Sequence, residues 1–308
     1  MSADLSPTRN FRLALIGNPN SGKSSVFNRL TGLQQKVGNF PGVTVDKKVG
    51  TYNLADDHQI DLIDFPGAYS FYPNAQDERI VVQTLANPED ENYPDAVLYI
   101  ADLTRLERHL LLFTQIQDLG LPVILALNMS DMATEQGLQL NPAELEKALG
   151  APVVRVSSHT GEGFESLHQQ LKELVQKAAD TTPGRFYELT ADERSLSQVI
   201  GHSFPANNAY QNLLLAHHYQ WLPHLNEAER QNIGTGINGF QSLHHQVEET
   251  MARFDNFTPL VKRAVQQPKT NEASFSEGVD RILTHRFFGP IIFLALMFLV
   301  FQAIYAWA

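Results

Sequence analysis

Residues 17–24 read Gly17-Asn18-Pro19-Asn20-Ser21-Gly22-Lys23-Ser24, a full match to the spacing G-x-x-x-x-G-K-[ST]. The glycines let the backbone curl so that successive N–H groups point at phosphate oxygens. Lys23 adds a compact positive charge for the β- and γ-phosphates, and the Ser24 hydroxyl is suited to ligating Mg²⁺. The apolar run Leu13–Ile16 precedes the loop and the helix-forming stretch Ser25–Leu30 follows it. That strand–loop–helix order separates it from a chance glycine-rich turn. Phosphate contacts are therefore expected through Gly17, Asn18, Asn20, Ser21, Gly22, Lys23, Ser24 and Ser25.

Outward from this loop, short apolar runs recur at Leu13–Ile16, Ile60–Ile63, Ala96–Ile100, Val123–Leu127 and Val153–Val156. Runs of that length read as strands buried on both faces of a largely parallel sheet. The helical patterns between them complete an α/β domain. Asp46–Leu54, followed by Asp56-Asp57-His58 and the next strand, reads as a hairpin, so one edge is expected to be antiparallel. The prediction is an α/β P-loop domain over 11–178, with a mostly parallel six-stranded sheet, after a short polar tail over 1–10.

From Pro183 to about Pro268 the strand pattern stops, and Thr190-x-x-Glu193 is a capping-box signature. A small all-α domain is expected over 183–270. Ser274-x-x-Glu277 opens an expected juxtamembrane helix over 271–286, with apolar Phe275, Val279, Ile282 and Leu283. Residues 287–308 carry no formal charge and only Gln302 as a strongly polar side chain. A helix of that length spans about 33 Å, enough for the hydrocarbon core of a bilayer, and it has no polar face to show to water. It is read as a transmembrane helix. Arg281, His285 and Arg286 precede it, so the positive-inside rule places residues 1–286 in the cytoplasm.

The choice of base comes from Asn128-Met129-Ser130-Asp131, which follows the run Val123–Leu127. A carboxylate at Asp131 can accept hydrogen bonds from N1 and N2 of guanine, a donor pair that adenine lacks. Asn128 would brace the loop and reach the purine edge, with Met129 between them. Ser157-Ser158-His159 after the next strand supplies a third contact to the base. GTP and GDP fit this arrangement better than ATP.

Asp64-Phe65-Pro66-Gly67 closes the run Ile60–Ile63. Asp64 can hold Mg²⁺ through a water, and the Gly67 N–H can meet the γ-phosphate. Thr44 follows Gly38-Asn39-Phe40-Pro41-Gly42, read as a flexible segment able to close over the nucleotide and add a hydroxyl to Mg²⁺. Lys23, Thr44 and Gly67 are thus the residues expected to serve hydrolysis, which would release both segments. Where Ras-like GTPases place a water-orienting Gln, this chain has Ala68. A methyl group cannot position water, so slow intrinsic turnover is expected.

Composition narrows the partners. Twenty-three Lys and Arg against 34 Asp and Glu leave a formal net charge of −11, which opposes a nucleic-acid-binding surface spread over the protein. There are no cysteines, so disulfides and thiolate metal sites are excluded, as suits a reducing compartment. Met1–Asn10 is polar and reads as no signal peptide.

G-N-P-N-S-G-K-S over 17–24, V-G-N-F-P-G-V-T-V over 37–45, D-F-P-G-A-Y-S over 64–70, L-E-R-H-L over 106–110 and A-L-N-M-S-D over 126–131 together resemble the cytoplasmic part of the bacterial ferrous-iron transporter B (FeoB) family. The 37–45 string is the most specific, because generic GTPases do not share it. The D-R-I-L-T-H run over 280–285 is similar to the family's approach to its first span. The resemblance implies a GTPase of the bacterial inner membrane whose helical domain modulates nucleotide affinity and whose membrane segments carry Fe²⁺. It also implies as partners those transport segments and small regulatory iron-transport proteins, with a homo-oligomer as a further option and no nucleic acid. Some members use K⁺ to stimulate hydrolysis through the residue matching Asn20, for which a purely structural, loop-pinning Asn is the alternative. The family has many membrane helices and one helix cannot enclose a cation path, so this chain alone is not expected to transport iron.

His202, His217, His218, His224, His244 and His245 fall in the helical region. Adjacent helical residues point about 100° apart, which makes His217–His218 and His244–His245 poor chelating pairs. Iron binding with Glu248 and Glu249 and a solvated surface are the two accounts. Two other functions compete with the iron-transport GTPase: a membrane-tethered GTPase that recruits partners, and an Era-like GTPase acting on RNA or the ribosome.

Overall fold

The computed structural model describes residues 10–41, 43–55, 58–177, 184–266 and 282–307. Strand β1 (Phe11–Gly17) leads through the loop into helix α1 (Lys23–Thr31), then β2 (Gln35–Asn39), β3 (Asp46–Ala55), β4 (His58–Asp64), α2 (Gln76–Leu85) and β5 (Ala96–Asp102). A 3₁₀ turn (Leu103–Arg105) opens α3 (Leu106–Asp118), followed by β6 (Val123–Asn128), α4 (Ser130–Glu135), β7 (Gln139–Leu140), α5 (Pro142–Leu149), β8 (Val153–Arg155) and α6 (Phe164–Lys177). The helices α7 (Ala191–Gly201), α8 (Ala209–His218), α9 (Glu227–Gly236) and α10 (Ser242–Ala264) come next, then β9 (Val265–Gln266) and α11 (Phe288–Trp307).

The main sheet has the order β2-β3-β4-β1-β5-β6-β8, parallel from β4 through β8 and antiparallel at the β2–β3 and β3–β4 pairs. It has seven strands, not the six expected. The extra strand, β2, reads Gln-Lys-Val-Gly-Asn, and its Val37 is 62% exposed. No apolar run marks it; backbone pairing with β3, from Gln35↔Gly50 to Asn39↔Asp46, holds it at the edge. Gly38 and Asn39, expected in a flexible segment, therefore lie in this strand. Phe40 is buried, its ring centroid 5.3 Å from that of Phe65.

Strand periodicity splits the core in two. Leu13 and Leu15 pack with Val26 and Phe27 of α1 and with Leu167 and Leu171 of α6. Ala14 and Ile16 face the other way, into a cluster holding Tyr99, Leu110 and Phe113 together with Leu213, Leu214 and Phe257 of the helical region. Burying each such large side chain is worth about 1.5–3 kcal/mol, so the helical region shares the core of the sheet domain.

Capping fixes where the helices begin. The Thr190 hydroxyl accepts from Glu193 N at 3.3 Å, and the Glu193 carboxylate accepts from Thr190 N at 2.8 Å. Asn208 with Gln211 and Asn226 with Glu229 repeat this box at α8 and α9. The expectation of no strand between 183 and 268 fails at β9, which pairs antiparallel with β7 through Gln139↔Gln266 and Leu140↔Val265. Two residues are too few to leave a periodic trace. Most of the expected juxtamembrane helix, including Phe275 and Val279, lies outside the described residues. The chain divides into two compact units, Met1–Gln266 and Gln267–Ala308. In the second, α11 is long and apolar enough to cross a membrane.

Candidate nucleotide site

The phosphate end begins where β1 stops. A Cβ on Gly17 would collide with the Ile100 carbonyl of β5 and one on Gly22 with the Asn128 amide, so both positions need glycine. Asn20 (φ 64°) and Gly22 (φ 80°) adopt left-handed conformations that turn the loop. Helix α1 starts with no side-chain cap and no acidic residue in its first turn. Its leading N–H groups and dipole are thus left to face an anion. Ser24 and Ser25 are exposed on that turn, while Ser21 is buried. The Asn18 side chain is turned into the core: Oδ1 lies 2.8 Å from the Tyr99 hydroxyl and Nδ2 donates to Arg108 O at 3.1 Å. Any contact Asn18 makes with phosphate must come from its backbone.

Asp64 ends β4, paired in register with Leu15 of β1, and its carboxylate forms an ion pair with Lys23. The segment beyond it lies along the loop. Phe65 N donates to Leu15 O at 3.1 Å and Ala68 N to Gly17 O at 3.3 Å. A Cβ on Gly67 would sit 2.9 Å from Pro19 N, so only glycine brings this backbone so close to the loop. Ala68 is 0% exposed and part of the apolar cluster. The Ser24 hydroxyl and the Asp64 carboxylate are hard oxygen donors beside the same lysine, a set that fits Mg²⁺. Thr44 belongs to the segment that leads into β3. It sits exposed in the bend before β3, lining a cavity with Asn39, Phe40, Val43, Val45 and Gln76.

The base end is organised by Asn128, the buried last residue of β6. Its Nδ2 donates to Ser21 O at 3.0 Å and its Oδ1 accepts from Ser158 N at 2.9 Å. One amide therefore braces the phosphate loop against the 157–159 loop. Met129 takes a left-handed conformation (φ 62°) that starts α4 and places Asp131 in its first turn. The Asp131 side chain is 26% exposed, and His159 Nδ1 lies 3.5 Å from its Oδ2. What burial it has acts to raise its pKa, but the Ser157 hydroxyl, backbone N–H groups and His159 hold the carboxyl below the ordinary aspartate value. It is an acceptor at neutral pH. Arg29, which the motifs did not mark, donates to Ser158 O at 3.1 Å and His159 O at 3.2 Å.

Of the helical histidines, His202 and His244 are exposed and fit the solvated account, whereas His217 and His218 are packed into the helical region. The His218 Nε2 lies 2.7 Å from Phe71 O, and His217 Nδ1 lies 2.8 Å from the Ser242 hydroxyl. Burial lowers His217 to about 3 and His218 to about 4. Among the described residues no group of three or more His, Asp or Glu is arranged to hold a metal. Glu249 is buried and occupied: it accepts from Tyr210 Oη and Arg253 Nε, each at 2.7 Å, and from the Tyr72 hydroxyl. Glu248 pairs with His244 at 3.2 Å.

A sequence model of the family described as Ferrous iron transport protein B matches residues 11–171. The Fe(2+) transporter FeoB of Legionella pneumophila (strain Paris) is 34% identical over 303 residues, covering 93% of this chain and 38% of that protein. The chain thus spans about two-fifths of the length of that relative. The solved cytosolic domain of L. pneumophila FeoB superposes with a TM-score of 0.68 at 30% identity, covering 83% of this chain and 99% of that one. The cytosolic domain of T. maritima FeoB matches in GDP form II (TM-score 0.65, 32% identity, 84% and 100% covered) and in the GMPPNP form (TM-score 0.64, 31% identity, 83% and 99% covered). The phosphate loop, the Asp64–Gly67 segment and the Asn128–Asp131 turn all fall inside the matched span, and by fold and sequence alike the chain belongs to the ferrous iron transport protein B family.

Proposed function

We propose that this chain binds GTP with Mg²⁺, hydrolyses it slowly to GDP and phosphate, and by switching with nucleotide state regulates Fe²⁺ passage through membrane segments largely absent from it. The observation that carries this is the Asn128 amide, which ties the phosphate loop to the loop beside Asp131. Relatives of the same span are known in GDP and GMPPNP forms.

Lys23 and the first-turn N–H groups of α1 would neutralise phosphate charge, and Gly67 N–H would report the γ-phosphate. Ser24 and Asp64 would hold Mg²⁺, with Thr44 as a further hydroxyl; the ion would offset charge developing on the phosphate oxygens. Asp131 would select guanine, with Ser157, Ser158 and His159 closing over the base. Asn20 is exposed in its left-handed turn and would serve as a K⁺ ligand. The span 11–178 would act as the GTPase domain and 183–270 as its helical regulator, with α11 in the inner membrane and residues 1–286 in the cytoplasm. Small regulatory iron-transport proteins and a second copy are the partners to seek. Partner recruitment without transport is the second reading, favoured by Ala68, a fully buried methyl group that cannot orient an attacking water.

The test uses the full chain in mild detergent. Asp131→Asn replaces the acceptor of the guanine N1–H and N2–H with a group that suits xanthine, so hydrolysis should move from GTP to XTP. Undiminished GTP preference in Asp131→Asn would sink the base assignment. Hydrolysis as fast as a stimulated GTPase would refute slow turnover, and equal rates in K⁺ and Na⁺ would remove Asn20 as a K⁺ ligand.

A further inference from the structure

Arg29 lies on the exposed side of α1 and reaches across to the loop after β8. Its Nε donates to Ser158 O at 3.1 Å and its Nη2 to His159 O at 3.2 Å. The guanidinium carbon stands 5.3 Å from the centroid of the Phe164 ring at the start of α6. Gly161 has φ +90°, and a Cβ there would lie 2.6 Å from Arg29 Nη1. The loop therefore bends around the guanidinium, and a side chain at this left-handed bend would push the guanidinium aside.

Of the two carbonyls that Arg29 holds, one belongs to His159, whose Nδ1 lies 3.5 Å from Asp131 Oδ2, and the other to Ser158, next to the Ser157 hydroxyl that hydrogen-bonds Asp131. On the loop's other side, Ser158 N donates to Asn128 Oδ1 at 2.9 Å. The loop is thus gripped from inside by the amide that also braces the phosphate loop, and from outside by the helix whose first turn faces the phosphates. Arg29 itself is directed at backbone carbonyls, so its effect on a base would pass through the loop.

We infer that Arg29 is a positioning residue for the purine end of the site, and that its grip on the 157–159 loop sets how fast guanine nucleotide leaves. This rests on the nucleotide site proposed above. A planar guanidinium can engage two successive carbonyls at once, whereas an ammonium on a flexible stem cannot hold both in fixed geometry. A loop held ready loses little freedom when the base arrives, which favours retention of the bound nucleotide. Losses of this kind fall mostly on dissociation. Two exposed bonds to carbonyls, net of their exchange with water, amount to about a tenfold change in release.

The experiment follows release of N-methylanthraniloyl-GDP from the full chain in detergent, chased with excess GDP. Arg29→Ala should release the nucleotide about tenfold faster with association unchanged, and Arg29→Lys should fall between it and the parent. Affinity for IDP should drop by the same factor as for GDP, because preference for the 2-amino group belongs to Asp131 and not to the loop. Gly161→Ala, which drives a methyl group into Nη1, should also hasten release, and it gives a second route if Arg29→Ala folds poorly. Release within twofold of the parent in Arg29→Ala, or in both Arg29→Lys and Gly161→Ala, overturns the inference. A parent chain that fails to bind GDP overturns the nucleotide site itself, an outcome distinct from a binding parent with unaffected variants.

Discussion

Replacing Arg253 with Met deletes a buried cation while keeping much of the side-chain volume. Arg253 Nη2 lies 2.6 Å from Asp118 Oδ2 and its Nε 2.7 Å from Glu249 Oε1, and none of the three side chains is more than 2% exposed. Removing one partner of a buried ion pair costs about 3–5 kcal/mol, because the other charge stays behind. The remaining donors decide where in that range the loss falls. Asp118 keeps the N–H groups of Phe186 at 2.6 Å and Tyr187 at 3.2 Å, and Glu249 keeps the hydroxyls of Tyr210 and Tyr72. That places the loss near the lower end, about 3 kcal/mol. At roughly 2–4 °C per kcal/mol for a domain of this size, the melting temperature should fall by roughly 6–12 °C. The pH dependence has a definite sign. Burial already raises the Asp118 pKa, against the downward pull of Arg253 and the backbone N–H groups, so losing Arg253 raises it further. A carboxyl whose folded pKa exceeds its unfolded one favours the native state when protonated. The deficit is therefore largest at neutral pH and shrinks as the pH falls towards 5. Circular dichroism melts of variant and parent at each pH give the difference directly, and the histidines common to both cancel. Arg253→Met combined with Glu249→Gln should recover part of the loss. A deficit under about 1 kcal/mol, well below the expected range, or one constant from pH 5 to 8, would refute the ion-pair account.

Asn128→Ala strands the buried Ser21 carbonyl, worth about 1–3 kcal/mol when left unmet, and the half-buried Ser158 N–H, so GDP affinity should fall by roughly 10- to 100-fold; a titration with fluorescent GDP showing less than a threefold change would count against the brace. Ala68→Gln should not restore fast hydrolysis, because the site is fully buried and overpacking costs about 1–3 kcal/mol; a lower melting temperature with unimproved turnover is expected, and a tenfold faster rate would contradict it. His217 and His218 titrate in the folded chain at about 3 and about 4, below the unfolded histidine value. The stability they contribute is full above about pH 6.5 and is lost towards pH 4, at about 1.4 kcal/mol per pH unit for each. Urea midpoints at pH 7 and pH 5 that coincide would be the contrary result.

The site was legible where chemistry demands a residue type at a fixed spacing. Gly22, Lys23 and Ser24 follow from phosphate geometry, and the structure puts them at the head of α1. Asn128 and Asp131 follow from the need to match a purine edge at the end of a buried strand. Strand β2 was not legible, because its pairing is carried by backbone groups and only Val37 is strongly apolar. The Asn18 side chain was illegible for a different reason: the motif fixes its backbone, while Tyr99, distant in sequence, decides where its side chain goes. Arg29 gave no signal, since one arginine on an amphipathic helix is indistinguishable from a solvated one until α6 and the 157–159 loop are brought beside it. The burial of His217 and His218 was illegible likewise: solvation of an adjacent pair depends on what packs over it, and here Phe71, Tyr72 and Phe240 do so.

That same segment bears on Ala68. Between Gly67 and Tyr72 the chain runs from the phosphate loop to the helical region, and its two ends are held unequally. At the loop end there is one 3.3 Å bond from Ala68 N to Gly17 O, on the weak side of the hydrogen-bond range. At the far end Phe71 N donates to Gln115 Oε1 at 2.8 Å, Phe71 O lies 2.7 Å from His218 Nε2, and the Tyr72 hydroxyl reaches the buried Glu249. Buried, paired polar groups resist displacement because parting them leaves unmet donors or acceptors in a low dielectric. Any strain applied at Gly67 therefore yields first at Ala68, and what it does not relieve there passes to Glu249 and so to Arg253. A long carboxamide at position 68 would have to enter a closed core or push this backbone off Gly17. The small residue lets the strap lie against the phosphate loop, so Ala68 answers to packing as much as to the loss of a water-orienting group.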